Sequence, residues 1–359
     1  MKNFYIVDIE PLDNRYTKQW RTWIPKVAQE YLGEGFNVVN IAGEEGEYKK
    51  PEPGAFFDFL GTCKYKASQT IRIAELFEQG KVQNGDIFYF TDAWNQTIHF
   101  LKYMAELKDI QIYTAGIWHA GAYDPTDILG VKIKNKPWVY GFEASSYYAF
   151  DINFFGSHYN KNLFLQTLGL KDEERVLGRC VSPGAYCLEW IRDLKNDHAK
   201  ENIVVFPHRL NYDKAPYVFD EIAAEVQKTR PDIRFVKTQE QNFSKEEYYD
   251  FLKTCKVIFS ANKHENLGIG TFEAMCSGCI PLLPDKLSYH EMYDPVFKYE
   301  VHDNLYDVGA NREYLARRIL YYIDYYENYR ADLNNNIDRI HETYFSGRNM
   351  FEIMKRTFV

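Results

Sequence analysis

The sequence is poor in several features that define whole classes of protein. Six cysteines in 359 residues do not form a disulfide framework. No stretch approaches 18 apolar residues and the first residues lack the apolar core of a signal peptide, so neither a membrane-spanning helix nor a leader is predicted. The expected setting is therefore a reducing cytoplasm, with no membrane partner.

Positive charge is also scarce. The chain has 43 Lys and Arg against 51 Asp and Glu, a formal net charge of −8. A protein held to nucleic acid by its overall field would be basic. Any contact with nucleic acid must therefore come from a local patch.

Two familiar motifs are missing or incomplete. No Gly-x-Gly-x-x-Gly follows the first predicted strand, which disfavours a nicotinamide oxidoreductase built from two Rossmann-like domains. Cys276-Ser277-Gly278-Cys279 has CxxC spacing, but it lies at a predicted helix end and has no second pair. A structural role is favoured over a metal or redox role at these cysteines.

What the chain does have is a regular alternation of strands and helices. A hydrophobic fraction of 45% in 359 residues suits two globular domains. Apolar strands alternating with helical stretches predict an α/β fold of two doubly wound, Rossmann-like domains facing a central cleft, with C-terminal helices. The expected divisions are residues 1–190, 191–330 and a C-terminal helix, 331–359, that packs back toward the first domain. Predicted strands lie at 4–9, 36–41, 87–90, 110–114, 152–155, 203–206, 233–237, 257–260 and 280–283.

The richest candidate site lies between residues 260 and 275. A strand ends there, a loop with Gly268 and Gly270 follows, and a helix is predicted from Thr271. Free amides at a helix start, with glycines that allow close approach, suit a phosphate. An ordinary connection with a charged rim fits the same glycines.

A second candidate segment follows the first strand of the second domain. Arg209 and Lys214 could both point into the cleft and hold a diphosphate, the arginine by a fork and the lysine as a point charge. As an isolated pair they fit solvated surface charges better than a ligand site.

Together the two segments resemble the retaining glycosyltransferases of the GT-B fold. Glu265 and Glu273 are separated by seven residues, and Arg209 and Lys214 by four. The family transfers a sugar from a nucleotide diphosphate donor held by the second domain. The resemblance covers about residues 200–290, including Gly278 and Pro281 in the helix and strand that follow.

The resemblance implies a role for each matched residue. Arg209 and Lys214 would hold the diphosphate, Glu265 the transferred sugar, and Glu273 the ribose hydroxyls. Gly268, Ile269, Gly270 and Thr271 would offer amides to sugar and phosphate. The donor would be a nucleotide diphosphate sugar, with UDP favoured. No cofactor or metal is expected, because the chain lacks an Asp-x-Asp tripeptide and cationic side chains can stabilise the leaving phosphate.

The first domain is expected to hold the acceptor. His119 follows a strand, and the family often carries a histidine there that contacts the sugar. Asp92 could accept a proton from an acceptor hydroxyl, or cap the next helix. Taken alone, His119 fits a hydrogen-bonded loop residue better than a ligand contact. The first strand departs from the family, because Glu10-Pro11-Leu12-Asp13-Asn14-Arg15 follows it instead of a glycine-rich loop.

The acceptor hypothesis comes from further resemblances. Lys134–Tyr140 and Phe90-Thr91-Asp92 look like segments of the phage DNA glucosyltransferases that modify hydroxymethylcytosine. The opening and residues 117–125 are similar to glycosyltransferases encoded by tailed phages. Lys132, Lys134 and Lys136, interpreted as one side of a strand, could track a DNA backbone, or guard an edge strand.

The leading expectation is therefore a metal-independent retaining glycosyltransferase that acts on a hydroxymethylated pyrimidine of double-stranded phage DNA. A glycan, lipid-linked sugar or small molecule is the alternative acceptor. A nucleotide- or DNA-binding module without catalysis is the alternative from another class.

Overall fold

The computed structural model describes all residues except 13–15, 47–57, 120, 171–179, 182, 195–197, 302–307 and 359. The chain divides into two compact units, residues 1–188 with 344–359, and residues 189–343. The second unit thus extends to residue 343, where 330 was expected. The segment that belongs with the first unit begins at 344 instead of 331. Asp13, Asn14 and Arg15 lie outside the described residues.

The first unit contains a parallel sheet of six strands in the order β2-β1-β3-β4-β5-β6. Strands β1 and β3 are neighbours although β2 lies between them in the chain. This reversal of strand order marks the point where open α/β sheets bind ligands, beyond the carboxyl ends of the strands. The strands are β1 Lys2–Val7, β2 Phe36–Ile41, β3 Ile87–Phe90, β4 Tyr113–Trp118, β5 Ile152–Phe155 and β6 Cys180–Val181.

The inner strands of this sheet are buried along their length. All four residues of β3 and of β5 are buried, as expected for strands covered on both faces. The helices of the unit are α1 Tyr16–Leu32, α2 Phe59–Glu78, α3 Thr97–Leu107, α4 Ile128–Ile133, α5 Pro137–Ala149 and α6 His158–Thr167.

Strand β4 begins and ends later than the sequence indicated. The structure pairs Tyr113 with Ile87 and continues the strand through Gly116 to Trp118. A Cβ at Gly116 would lie 2.8 Å from the Phe150 ring. The glycine therefore marks a close approach inside a strand, not a loop.

The second unit contains a parallel sheet of five strands in the order β11-β10-β9-β7-β8. Its strands are β7 Glu201–Phe206, β8 Arg234–Lys237, β9 Cys255–Phe259, β10 Ile280–Pro284 and β11 Lys298–Tyr299. Its helices are α7 Pro216–Gln227, α8 Lys245–Thr254, α9 Ile269–Cys276, α10 Ser288–Met292, α11 Val308–Asp324 and α12 Arg330–Ile340. The predicted class of two doubly wound parallel sheets is confirmed.

The C-terminal helix α13, Arg348–Phe358, belongs to the first unit, where it packs on α1. Its apolar side chains recur at helical spacing, and Met350, Phe351, Met354 and Phe358 are buried. None of the helices in the described part of the chain is long and apolar enough to span a membrane.

Candidate functional site

The loops after β7 and β9 meet through an ion pair. Lys214 ends a short 3₁₀ turn after β7, and its Nζ lies 3.0 Å from Oε2 of Glu265 in the loop after β9. The same ammonium donates to the carbonyl of His264. Lys214 is only 6% exposed. Two residues that the sequence marked separately are therefore neighbours.

The Glu265 carboxylate is held from three sides. Its Oε1 accepts a hydrogen bond from the Gly268 amide at 3.0 Å, and its Oε2 accepts one from the Asn262 amide group at 2.9 Å. Burial is the strongest single influence and acts to raise the pKa of Glu265, but the charge of Lys214, together with smaller contributions from neighbouring groups, outweighs it and lowers that pKa to about 2. Glu265 is thus a fixed anion at neutral pH.

Arg209 lies at the start of the loop after β7. Its guanidinium nitrogen is 3.5 Å from Oδ2 of Asp213, and both side chains are three-quarters buried. Asp213 also lies 3.8 Å from the Lys214 ammonium. Arg209 and Lys214 therefore flank one carboxylate, and the two cations lie on one side of the second unit.

The glycine loop leads directly into helix α9. Gly268 has φ of +78°, and a Cβ there would lie 2.7 Å from the Tyr289 ring. The helix begins at Ile269, two residues earlier than predicted, so Ile269, Gly270 and Thr271 form its first turn. Amides of a first turn lack partners within the helix and suit an anion.

Thr271 is fully buried, and its hydroxyl lies 3.0 Å from the Tyr289 hydroxyl. The side chain of Thr271 thus helps to hold the loop. Its backbone amide is the group that suits a ligand.

Glu273 faces helix α8. Its Oε1 lies 2.8 Å from the Lys245 ammonium and accepts a hydrogen bond from Tyr249 at 2.8 Å. Its Oε2 accepts one from Tyr248 at 3.3 Å. A ribose would have to exchange with these partners, so the expected ribose contact remains a prediction. The sequence did not indicate that Lys245 would contact Glu273. The spacing of Lys245, Tyr248 and Tyr249 nevertheless puts all three on one helix face.

His208 lies in the loop after β7, next to Arg209 in the chain. It is 6% exposed, and its Nε2 has no hydrogen-bond partner among the described residues. Burial, followed by the Lys214 charge, lowers the pKa of His208 to about 3. The imidazole is therefore neutral.

In the first unit, Asp92 forms a buried ion pair that the sequence did not indicate. Its Oδ2 lies 2.7 Å from the ammonium of Lys66 in helix α2. Burial acts to raise the pKa of Asp92, but Lys66 and then His119 lower it below its usual value. Asp92 is not a helix cap: α3 begins at Thr97, and Asn95 caps that amide at 3.0 Å.

His119 follows β4, as expected, and both of its ring nitrogens are engaged. Nε2 donates to the Thr91 carbonyl at 2.6 Å, so Nδ1 accepts from the Tyr186 hydroxyl at 2.8 Å. Trp20 lies 5.3 Å from the ring. Burial lowers the pKa of His119, with Asp92 opposing it. A contact with an acceptor would require one of these hydrogen bonds to break.

The lysine segment is helical, so the prediction of an edge strand there was wrong. Lys132 lies in the last turn of α4, Lys134 follows that helix, and Lys136 precedes α5. Asp127 caps α4 by accepting the Leu129 amide, and Pro137 occupies the first turn of α5, where its missing N–H costs nothing. The three lysines are exposed beside Trp138, which is 58% exposed.

The CxxC cysteines are buried and free. Cys276 is 7% exposed at the end of α9, and Cys279 is fully buried. Among the described residues, no group of three or more His, Cys, Asp and Glu side chains could hold a metal ion.

None of the known protein-family models matches the chain. Solved structures match it over its full length. An E. coli structure named for trehalose-6-phosphate and bound with UDP-2-fluoro glucose has a TM-score of 0.67 at 10% identity, covering 100% of this chain and 99% of the other. Sucrose-phosphate synthase from Thermosynechococcus elongatus has a TM-score of 0.62 at 12% identity, covering 100% and 98%.

The chain has the GT-B-like glycosyltransferase fold. A pneumococcal O-GlcNAc transferase in complex with UDP and GlcNAc matches at a TM-score of 0.54 and 12% identity, over 89% of this chain and 64% of its own length. Among curated proteins, the tRNA-queuosine alpha-mannosyltransferase of Drosophila melanogaster is 25% identical over 45% of this chain and 55% of its own. The chain thus matches about half the length of that relative.

Proposed function

We propose that the protein is a retaining, metal-independent glycosyltransferase that transfers a sugar from a nucleotide diphosphate donor to a hydroxyl of a modified nucleoside in nucleic acid. The observation that carries the proposal is the buried Lys214–Glu265 ion pair beside Arg209 and the first turn of α9. It joins cations, a fixed carboxylate and free amides at the carboxyl ends of two adjacent strands.

Each group has a task in this chemistry. When the bond between sugar and diphosphate breaks, negative charge grows on the β-phosphate. Arg209, Lys214 and the amides of Ile269 and Gly270 would stabilise that charge in fixed positions. Glu265 would accept hydrogen bonds from hydroxyls of the transferred sugar, since its low pKa keeps it ionised.

The first unit would hold the acceptor beyond the ends of β3 and β4. Asp92 is a weak base, because Lys66 stabilises its ionised form. We therefore assign Asp92 and neutral His119 to orienting the acceptor instead of removing its proton.

We propose a UDP-sugar as the donor, a choice supported by the UDP ligands of two solved neighbours. The curated relative is named as a mannosyltransferase. The candidate donors to be tested are therefore UDP, GDP and their sugars, which together form the donor panel. Thermal-shift titration should single out one nucleotide, and stabilisation by none of them would contradict the proposal.

A matched pair of variants tests the clamp. Lys214→Met should abolish the nucleotide shift, whereas Lys228→Met should leave it unchanged. Lys228 is 64% exposed and pairs with Glu225 three residues earlier. An equal nucleotide shift in both variants would remove Lys214 from the donor site.

Two kinds of nucleic acid, DNA and tRNA, are candidates for the acceptor. The resemblance of residues 134–140 to phage enzymes favours a hydroxymethylated pyrimidine of DNA, with Lys132, Lys134 and Lys136 contacting the backbone beside Trp138. The named substrate of the curated relative favours a tRNA nucleoside. The cytoplasmic setting expected from the sequence is part of this proposal.

Mass spectrometry of nucleosides decides between them. Hydroxymethylated DNA and bulk tRNA are each treated with the enzyme and the donor panel, digested, and searched for a hexose or pentose mass increment. Reaction of glycan acceptors, with neither nucleic acid modified, would overturn the assignment of a nucleic-acid acceptor.

A further inference from the structure

The loop after β1 contains a buried carboxylate for which the proposed roles give no use. Glu10 is 1% exposed, and neither Oε1 nor Oε2 has a hydrogen-bond partner among the described residues. Two other buried acids of the unit do have partners: Asp8 accepts from Tyr65 at 2.6 Å, and Glu143 accepts from the Trp94 indole at 3.0 Å. A buried carboxylate without partners costs folding free energy, so its presence calls for a ligand.

The nearest charges do not neutralise Glu10. Lys66 acts on it electrostatically, but the Lys66 ammonium is already bound to Asp92 at 2.7 Å and to the Trp94 carbonyl at 2.6 Å. Two carboxylates thus share one cation. Thr62 is near enough to favour the ionised form, and its hydroxyl also lacks a hydrogen-bond partner. Burial raises the pKa of Glu10, and Lys66 opposes that rise.

The position of Glu10 in the sheet relates it to the acceptor. Glu10 follows β1, Asp92 follows β3 and His119 follows β4, and these three strands are adjacent. Their carboxyl ends form one edge, where α/β sheets bind ligands. Glu10, Asp92 and His119 therefore belong to one polar cluster in the first unit.

We propose that Glu10 binds a vicinal diol of the acceptor, each carboxylate oxygen accepting a hydrogen bond from one hydroxyl. The proposal rests on the proposed function and names the chemical class of its acceptor. When it is ionised, a carboxylate accepts hydrogen bonds with two equivalent oxygens, and both oxygens of Glu10 lack hydrogen-bond partners among the described residues. Both hydroxyls keep their hydrogens. Because the side chain is closed off, binding requires residues 8–12 to shift.

The consequence is selectivity against acceptors with one hydroxyl. A ligand that satisfies one oxygen leaves the other buried and unpaired, and sites of this kind reject such analogues strongly. A hydroxymethylated pyrimidine base offers one hydroxyl. Discrimination by Glu10 would therefore count against the DNA acceptor while leaving glycosyl transfer intact.

The first test uses stability without any ligand. Glu10→Met should raise Tm, because it removes an unpaired buried carboxylate from the free protein. The matched control Glu143→Met should lower Tm, because it leaves the Trp94 indole and the Ala122 amide unpaired. A fall in Tm for Glu10→Met comparable to the control would show that Glu10 is a structural group and would overturn the proposal.

The second test uses cis-1,2-cyclohexanediol and cyclohexanol as probes at equal concentrations. Near its dissociation constant, the diol should raise the Tm of the wild type by about 1 °C, and cyclohexanol should not. Glu10→Gln, which keeps the side-chain shape, should lose this shift. Equal shifts by both probes, or a diol shift that survives Glu10→Gln, would overturn the proposal.

A UDP and GDP titration of the same variants separates the two proposals. Glu10→Gln should bind the nucleotide as the wild type does. Nucleotide binding without diol discrimination would overturn only the role of Glu10. Diol discrimination without nucleotide binding would overturn the proposed donor chemistry.

Discussion

Lys214 and Glu265 are 51 residues apart in the chain, yet their charged atoms lie 3.0 Å apart in a nearly dry environment. Removing one member of such a pair leaves the other charge buried and uncompensated. Removing both avoids that penalty. The pair should therefore show strong energetic coupling.

We expect Lys214→Met to lower the free energy of unfolding by about 3 kcal/mol or more. The double variant Lys214→Met/Glu265→Leu should recover much of that loss, because no charge is left unpaired. Urea denaturation of both single variants and the double variant measures the coupling. Additive losses would show that the two side chains act independently.

Catalysis gives a separate expectation for the loops after β7 and β9. Glu265→Gln and Arg209→Ala should each cut transfer by about 10²-fold, as loss of a transition-state contact does. Arg234→Ala is the control for the arginine, because Arg234 is 60% exposed and pairs with Glu201 at 3.2 Å. Turnover at the wild-type rate in either site variant would refute its role.

His208 should make the protein sensitive to acid. Its pKa is about 3 when folded and 6.5 in the ordinary state, so the unfolded chain takes up the proton first as the pH falls. The stabilisation is complete above about pH 6.5 and is lost as the pH falls toward 3.

His208→Gln should therefore reduce the loss of stability between about pH 6.5 and pH 4.5, a loss that we estimate at about 2 kcal/mol. Denaturation at both pH values measures it, with the exposed His290→Gln as control. The contribution of ionised Glu265 to stability is lost at lower pH, between about pH 4.5 and pH 2, because the pKa of Glu265 is lowered to about 2. If the stability of His208→Gln changed with pH as that of the wild type does, His208 would not be a buried neutral imidazole.

Helix α8 starts with a capping box. Ser244 and Glu247 form a capping box, in which the Ser244 hydroxyl accepts the Glu247 amide and the Glu247 carboxylate accepts the Ser244 amide. Lys245, the next residue, reaches Glu273. The cap thus sets the position of the cation that holds the Glu273 carboxylate.

Ser244→Ala should lower the free energy of unfolding by about 1 kcal/mol, the usual cost of a lost cap. Ser244→Asp should restore it, because an aspartate can accept the same amide hydrogen bond. Chemical denaturation of both variants checks the prediction, and equal stability of the alanine and aspartate variants would rule out a capping role.

At the scale of the whole molecule, the C-terminal helix α13 packs in the first unit. Phe351 of α13 is 1% exposed, and its ring lies 6.0 Å from Phe4 in β1 and 5.7 Å from Tyr31 in α1. Residues from both ends of the sequence therefore share one core. The stability of the first unit should depend on the last residues of the chain.

Phe351→Ala should destabilise the first unit by about 3–5 kcal/mol, the cost of truncating a buried phenylalanine. Calorimetry should show the transition of that unit at a lower temperature, and nucleotide binding by the second unit should persist. Lys355→Ala, an exposed neighbour, is the control. An unchanged transition would mean that α13 contributes little to the core.

Much of the architecture follows from local pattern. Apolar runs of four to six residues alternating with helices predicted two parallel sheets, because only crossover connections join parallel strands. The same rule put Arg209, Lys214 and Glu265 at strand ends on one edge of a sheet. Their meeting follows from the general rule that all carboxyl ends of a parallel sheet lie together.

Local pattern failed where two structures fit the same residues. The lysines at 132, 134 and 136 alternate as they would on a strand, but Asp127 and Pro137 start helices around them. Gly116 lies beyond the predicted strand at 110–114, yet it belongs to β4, where the Phe150 ring packs against the position that a Cβ would occupy.

The order of strands and helices, and the sheet edges on which the candidate site residues lie, could be predicted from spacing along the chain, because periodicity is a property of neighbouring residues. Spacing could not predict the ion pairs of Asp92 with Lys66 and of Glu273 with Lys245. It also could not predict that the Glu10 carboxylate would be buried without a hydrogen-bond partner among the described residues. Each depends on which side chains folding brings within a few ångströms, and residues far apart in sequence carry no mark of that distance.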